Sequence, residues 1–527
     1  MPRILTLFAT ASIAATPVFA QDHVHPSGDP AGVGRVSFPV SCNAEAKPRF
    51  ERAVAMLHSF WFEAANDEFA ATARADSTCA LAYWGQAMTL MGNPMTRLSP
   101  SAQRLEQGLA LAQRAKALAA NASHREQMYA DAVLAYYRDH ATRDHMARMQ
   151  THEAAFDALR RMHADDMEAT IFYARTVVAN ASPTDKTYAD QLRAAALMAP
   201  LFDAHPTHPG LAHYIIHAYD APAIASQGEA AARAYAGIAP DAPHALHMPS
   251  HIFTRIGKWD ESIETNARSA RAEPDSNAAV HPMDYMVYAF LQQGRVLEAG
   301  AVVNRAVSRL DQFYGRTLGY NYQAMRARLA LERGAWTDAA ALATTPSETD
   351  YVRALTHFAR ALGAARSNQA ARARADLDSL AAIERRLRDA NDAYWATVVG
   401  AQRGAAAAWV TLATDPARAL AEARAAADLE ETVAKHPVTP GPLLPARELL
   451  ADMLLDQRRA AEAQAEYERT MLNEPRRLRS MFGAARAAER AGDVAAARKH
   501  WALLLEVAGK ADAGLPEVAA ARAFRGP

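Results

Sequence analysis

His208-Pro-Gly-Leu-Ala-His-Tyr-Ile-Ile-His-Ala-Tyr-Asp220, followed by His244-Ala-Leu-His-Met-Pro-Ser-His-Ile-Phe253, is the stretch that decides the fold. His213, His247 and His281 recur every 34 residues, and a second column reads His217, His251 and Tyr285 at the same spacing. A fixed period of that length marks a helical-repeat array, in which equivalent positions of successive units stack side by side. A shared period in sequence therefore becomes a shared location in space. Within one unit, His213/His217 and His247/His251 are four residues apart, so each pair lies on one face of its helix.

Outside that stretch the same register continues. Ala451, Ala463, Tyr467 and Pro475 place small residues where two helices cross, an aromatic four residues on, and a closing proline. Ala485, Ala497 and Trp501 follow the first three at the same offset. In the middle, Gly257, Trp259, Ser262 and Pro274 form another copy, and Gly334, Trp336 and Ala339 repeat its Gly-x-Trp start. Ala65 and Phe69 form a weaker one near the N-terminus.

These residues resemble the tetratricopeptide repeat superfamily over most of 46–511, and the two histidine-bearing segments resemble a subgroup of exported bacterial repeat proteins. The resemblance implies an all-α fold, a right-handed α-solenoid of antiparallel helix pairs with its concave face lined by the first helix of each pair. Residues 95–165 and 341–430 match poorly and are expected to hold irregular repeats or insertions.

With Pro209, Pro243 and Asn277 opening three successive repeats, the lining positions follow. The first repeat supplies His213, His217 and Asp220; the second supplies His244, His247, His251 and Arg255; the third supplies His281, Tyr285 and Tyr288. The repeat before them starts near Met167 and adds Glu168 and Arg175. Neighbouring helices have axes about 8–10 Å apart, so both histidine pairs lean into one groove. His213, His217, His247 and His251 are expected to bind one transition metal ion jointly, with His281 completing or extending the site and Glu168 as a further candidate ligand. Imidazole ligation suits Zn, Cu, Fe or Ni. The alternative is a metal-free groove for a partner protein or peptide. A metal-activated water, with Glu168 or a tyrosine as proton carrier, is one use of such a site; no nucleophile elbow, phosphate loop or His-Glu-x-x-His helix accompanies it. His58, His152, His436 and the other histidines share no register and read as ordinary residues. Pro249, between His247 and His251, either kinks its helix or precedes a late start at Ser250.

Half of the residues are hydrophobic and the formal net charge is −1, which argues against nucleic acid as the main partner. The basic start Met1-Pro-Arg3, an apolar stretch over 4–15 and Val18-Phe-Ala20 read as a secretory signal peptide. No later stretch stays apolar for the ~18 residues that a membrane span needs. The expected location is extracytoplasmic, periplasmic or secreted, where Cys42 and Cys79, the two cysteines of the chain, are expected to pair. The chain then divides into a signal peptide (1–20), a flexible leader (21–45), N-terminal helical repeats (46–166), central histidine-rich repeats (167–310) and C-terminal repeats (311–527).

Overall fold

The computed structural model describes residues 30–274, 279–307, 316–344, 347 and 349–524; the signal peptide, residues 21–29 and Asn277 lie outside the described residues. Helices succeed one another from Ala46–His58 to Pro516–Ala523, and no strand occurs among the described residues. Each packs on its sequence neighbours: Ala46–His58 on Phe62–Ala75, Ala189–Ala204 on Pro209–Ala218, Ala460–Asn473 on Leu478–Ala491. The fold is an α-solenoid of antiparallel helical hairpins.

The residues of the repeat pattern act as expected. Gly257 (φ +70°) and Gly334 (φ +63°) turn the chain between the two helices of a hairpin through the left-handed region, which costs a Cβ-bearing residue more. The aromatic of the second helix lies against a small residue of the next one. A Cβ on Gly483 would stand 2.2 Å from the Tyr467 ring, and one on Gly85 would stand 2.3 Å from Phe69. In the poorly matching regions the helices continue but lengthen. Ala102–Ala119 and His145–Met162 each have 18 residues and Ala370–Asp389 has 20. Two such helices and their turns overrun the regular period, so register is lost while pairing is kept.

One expectation is corrected. The described part of the leader is packed, because its apolar side chains find partners. Val33 and Phe38 are buried, and the Arg35 and Asp241 amides donate to the Thr207 and Gly32 carbonyls at 3.1 and 3.0 Å. One core also runs across residue 166, joining Phe156 and Leu159 to Ala169, Phe172 and Ile252. Pro249 interrupts the helix between His247 and His251. It opens a second segment, Pro249–Arg255, directly after Pro243–His247, while Met248 keeps helical dihedrals (φ −54°, ψ −35°). Proline at a first-turn position removes no intrahelical bond.

Two further features frame the groove. Cys42 and Cys79 form a disulfide with Cα atoms 4.8 Å apart, closing the first hairpin at its open end. Residues 431–445, between Pro416–Glu430 and Ala446–Asp456, cross the concave side as a strap. The Ala434 amide donates to Pro183 O at 2.7 Å, His436 Nε2 lies 3.2 Å from Thr96 O, and Asn321 Nδ2 donates to Val438 O at 2.7 Å. Fully buried Arg328 donates to the carbonyls of Pro442 and Gly441 at 2.8 and 3.2 Å. The strap thus ties together helices far apart in sequence.

Candidate metal centre

Helix Pro209–Ala218 starts at His208, whose side chain accepts the Leu211 amide. It then presents His213 and His217 one turn apart. Their Nε2 atoms are 3.1 Å apart, and His244 Nε2, from the next repeat, is 3.2 Å from that of His213. One repeat on, His247 and His251 meet Nε2 to Nε2 at 3.1 Å, and His281 joins them from helix Val280–Gln292. Within each trio the ligating atoms lie within 4.8 Å of one another. The groove histidines therefore form two trios, His213/His217/His244 and His247/His251/His281. The expected quartet around one point is not what the helices build, because each pair is completed by the following repeat. His244, read from the sequence as a groove residue, ranks with the five expected ligands.

The outer nitrogens are anchored. His213 Nδ1 donates to the His58 carbonyl at 2.5 Å. His247 Nδ1 donates to Asn266 Oδ1 at 2.6 Å, and Asn266 is held in that orientation because its own Nδ2 donates to Ser262 O at 2.6 Å. His251 Nδ1 donates to Asp220 Oδ2 at 2.8 Å. Such outer hydrogen bonds fix tautomer and ring orientation, leaving Nε2 as a lone pair. Burial opposes a second proton. It pushes His213, His217, His244, His251 and His281 well below the ordinary imidazole value, and His247 down to about 4.

Each trio has its aromatic wall. Phe60 holds left-handed backbone (φ +53°) and sets its ring 4.4 Å from His213 and 5.5 Å, stacked, from His244. A phenylalanine in that region is strained. Tyr285 plays the corresponding part at 4.9 Å from His247 and 5.1 Å from His251. A cavity of about 890 Å³ opens against Phe60, Trp61, His244, His247 and His281; His244 and His281 are the half-buried members of their trios.

The remaining groove residues divide. Asp220 orients His251 and pairs with Lys435 of the strap at 2.8 Å. Glu168 faces neither trio. Its oxygens accept from His58 at 2.9 Å and His208 at 2.8 Å, and these two histidines outweigh burial and hold its carboxyl below the usual range. With both oxygens engaged, Glu168 is neither a ligand of the trios nor placed to carry their protons. Arg175 lies against the Phe172 ring. Arg255 and Tyr288 meet at Glu474, at 3.3 and 2.8 Å, apart from the imidazoles. Sequence reasoning missed His58, which showed no register, and His208, which caps its helix; no periodic signal marks either.

No protein-family model and no curated protein matches the sequence. The chain is similar in structure to human IFIT1 in a dimer with m7Gppp-AAAA, 10% identical, over 81% of this chain and 90% of that one (TM-score 0.40). It is similar to Ypp1, 9% identical, over 87% and 81% (TM-score 0.48). Yeast Tom70 is 11% identical over 91% and 95% (TM-score 0.27). These likenesses stop at the helical fold. No helix among the described residues is long and apolar enough to cross a membrane.

Proposed function

We propose that the protein is an exported helical-repeat metalloprotein whose histidine groove binds a transition metal, Zn, Cu, Fe or Ni, for metal-dependent chemistry or metal handling. One observation carries this reading: His247 and His251 oppose Nε2 to Nε2 at 3.1 Å while both Nδ1–H groups are committed elsewhere. Two lone pairs at that distance repel unless a cation lies between them. A proton is the weak candidate, because burial keeps both rings neutral. A metal ion is the strong one, since neutral imidazole with an anchored outer nitrogen is its usual protein ligand.

Two features favour this reading over a groove for a partner peptide. The strap already crosses the concave side, and the imidazole nitrogens converge on one another. The Cys42–Cys79 disulfide fits an oxidising compartment, as the signal-like N-terminus does. The test is metal content of protein purified from its native compartment, or refolded with each of the four ions, beside His247→Ala/His251→Ala. Stoichiometric metal in the parent and less in the variant is expected; no stoichiometric metal in either preparation of the parent overturns the reading.

A further inference from the structure

We propose that the groove holds two metal ions, one per histidine trio, bridged by a hydroxide derived from water. This rests on the metal reading above and adds a number, an arrangement and a small-molecule entry to it. The spacing of the nitrogens supports it. With metal–nitrogen bonds of about 2.0–2.1 Å, two nitrogens 3.1–3.2 Å apart subtend about 100° at the metal, between the octahedral and tetrahedral angles. That is the spread of imidazoles on one face of an ion, and the third ligating atom of each trio lies within 4.8 Å of the other two.

The ligating atoms gather in two separate groups. The rings of His217 and His251 are 5.8 Å apart, centre to centre, and those of His244 and His247 are 5.9 Å apart. The trios stand side by side. Repetition supplies the two pairs, and each takes its third imidazole from the following unit, at a different repeat position in the two cases. His281 adds an independent sign, for its Nδ1 is buried and has no hydrogen-bond partner.

The donor set narrows the ions. All six donors are imidazoles, and the carboxylate bonded to one of them, Asp220, stands behind His251 on its Nδ1. Nitrogen-only sets suit Cu and Zn and not Mg, Ca or Mn. Three protein ligands leave each ion an open position. Neighbouring dications with neutral ligands repel each other, which an anionic bridge relieves. A bound water supplies it by losing one proton to solvent, M–OH2 giving M–OH⁻ and H⁺, as metals promote near neutral pH. The cavity of about 890 Å³ touches both trios through His244, His247 and His281, a size that admits a small molecule.

The experiment uses the mature, metal-stripped chain dialysed against Zn(II) and, separately, Cu(II). Two ions per chain are expected, and His244→Gln and His281→Gln should each retain one. One ion per chain in the parent overturns the pair and leaves the proposed function standing; none overturns both. Variants that keep both ions overturn the assignment to trios. A measurement on the parent alone guards against misfolded variants. A hydroxide-bridged Cu(II) pair couples its spins, so most of the electron paramagnetic resonance intensity expected from the bound copper should be missing. Full intensity overturns the bridge.

Discussion

The carbonyl of His58 accepts the Nδ1–H of His213 at 2.5 Å across 155 residues of sequence. A backbone atom of the first helix thereby aims an imidazole of the central repeats. The His58 ring is itself locked, with Tyr214 Oη 3.1 Å from Nδ1, Glu168 2.9 Å from Nε2 and Phe172 stacked at 4.7 Å. Gly210 makes room for it, since a Cβ there would stand 2.6 Å from His58 Nδ1. Gly210→Ala should cost about 1–3 kcal/mol by overpacking and also weaken metal binding. Gly85→Ala, which crowds the Phe69 ring, should destabilise with metal affinity unchanged. Chelator competition and thermal unfolding of the two variants check this; equal metal affinity in both would remove His58 from the site.

Asn266 and Asp220 touch no other imidazole nitrogen than the outer ones of His247 and His251. Asn266→Ala and Asp220→Asn should each lower metal affinity by roughly 10- to 100-fold, the usual effect of losing such a partner. Asn266→Ala should act through the loss of the acceptor, so Asn266→Asp, which keeps one, should recover most of the affinity. Competition titrations give the three numbers. Affinity indifferent to all three changes would mean that these side chains do not set the ring orientations.

The fold was legible because the repeat writes itself twice, once in the Gly–Trp–small and small–aromatic register and once in the histidine columns. The i,i+4 pairs were legible for the same reason. What escaped lies off the period. His281 stands in the first histidine column and is expected at the site, but His244 completes the other trio from a repeat position that no column marks. The contact of Glu168 with His58 spans 110 residues, and fully buried Arg477 is held between Glu332 and Glu448, 145 and 29 residues away. Such pairings depend on how the superhelix curves, which a local period does not encode. The strap escaped because it carries no repeat, and its proline-rich sequence reads as a plain connection.

Thiol titration of the denatured, unreduced protein should find no free thiol, given the Cys42–Cys79 bridge. Replacing both cysteines by serine should cost about 3–4 kcal/mol in the chain-entropy account of a loop this long. Denaturant unfolding of the oxidised parent and the double variant measures it, and equal midpoints would contradict the estimate of what the bridge contributes.

His152 gives a pH dependence independent of the metal centre. It is fully buried, and burial, helped by nearby Arg175, pushes it down to about 3; its Nδ1 donates to Ala132 O at 2.7 Å. Below the unfolded value near 6.5 the unfolded chain binds a proton that the folded chain refuses. Its stabilising contribution is therefore complete above pH 6.5 and is lost as pH falls toward 3. His152→Asn keeps a donor without a titrating group, so the parent's advantage over it should shrink by more than about 1 kcal/mol from pH 7 to pH 4. A gap that stays constant over that range would show that His152 does not titrate as its burial requires.

Arg328 locks the strap to the groove and is also one half of a buried ion pair, 3.4 Å from Asp284. Removing the arginine alone would leave a buried carboxylate with Asn321 at 3.2 Å, a loss of about 3–5 kcal/mol that would obscure the strap's own role. Arg328→Met/Asp284→Leu removes both charges, and replacing a buried pair by apolar side chains is often nearly neutral. The double variant should stay folded while its strap loses the bonds to Thr439, Gly441 and Pro442. Limited proteolysis should then cut within 431–445, where the parent resists. The strap also carries Lys435, which pairs with Asp220, the anchor of His251. A loosened strap should therefore raise the rate at which metal leaves the second trio, followed by chelator capture. Cleavage without faster metal loss would confine the strap to a structural role, because Asp220 would then hold His251 unaided.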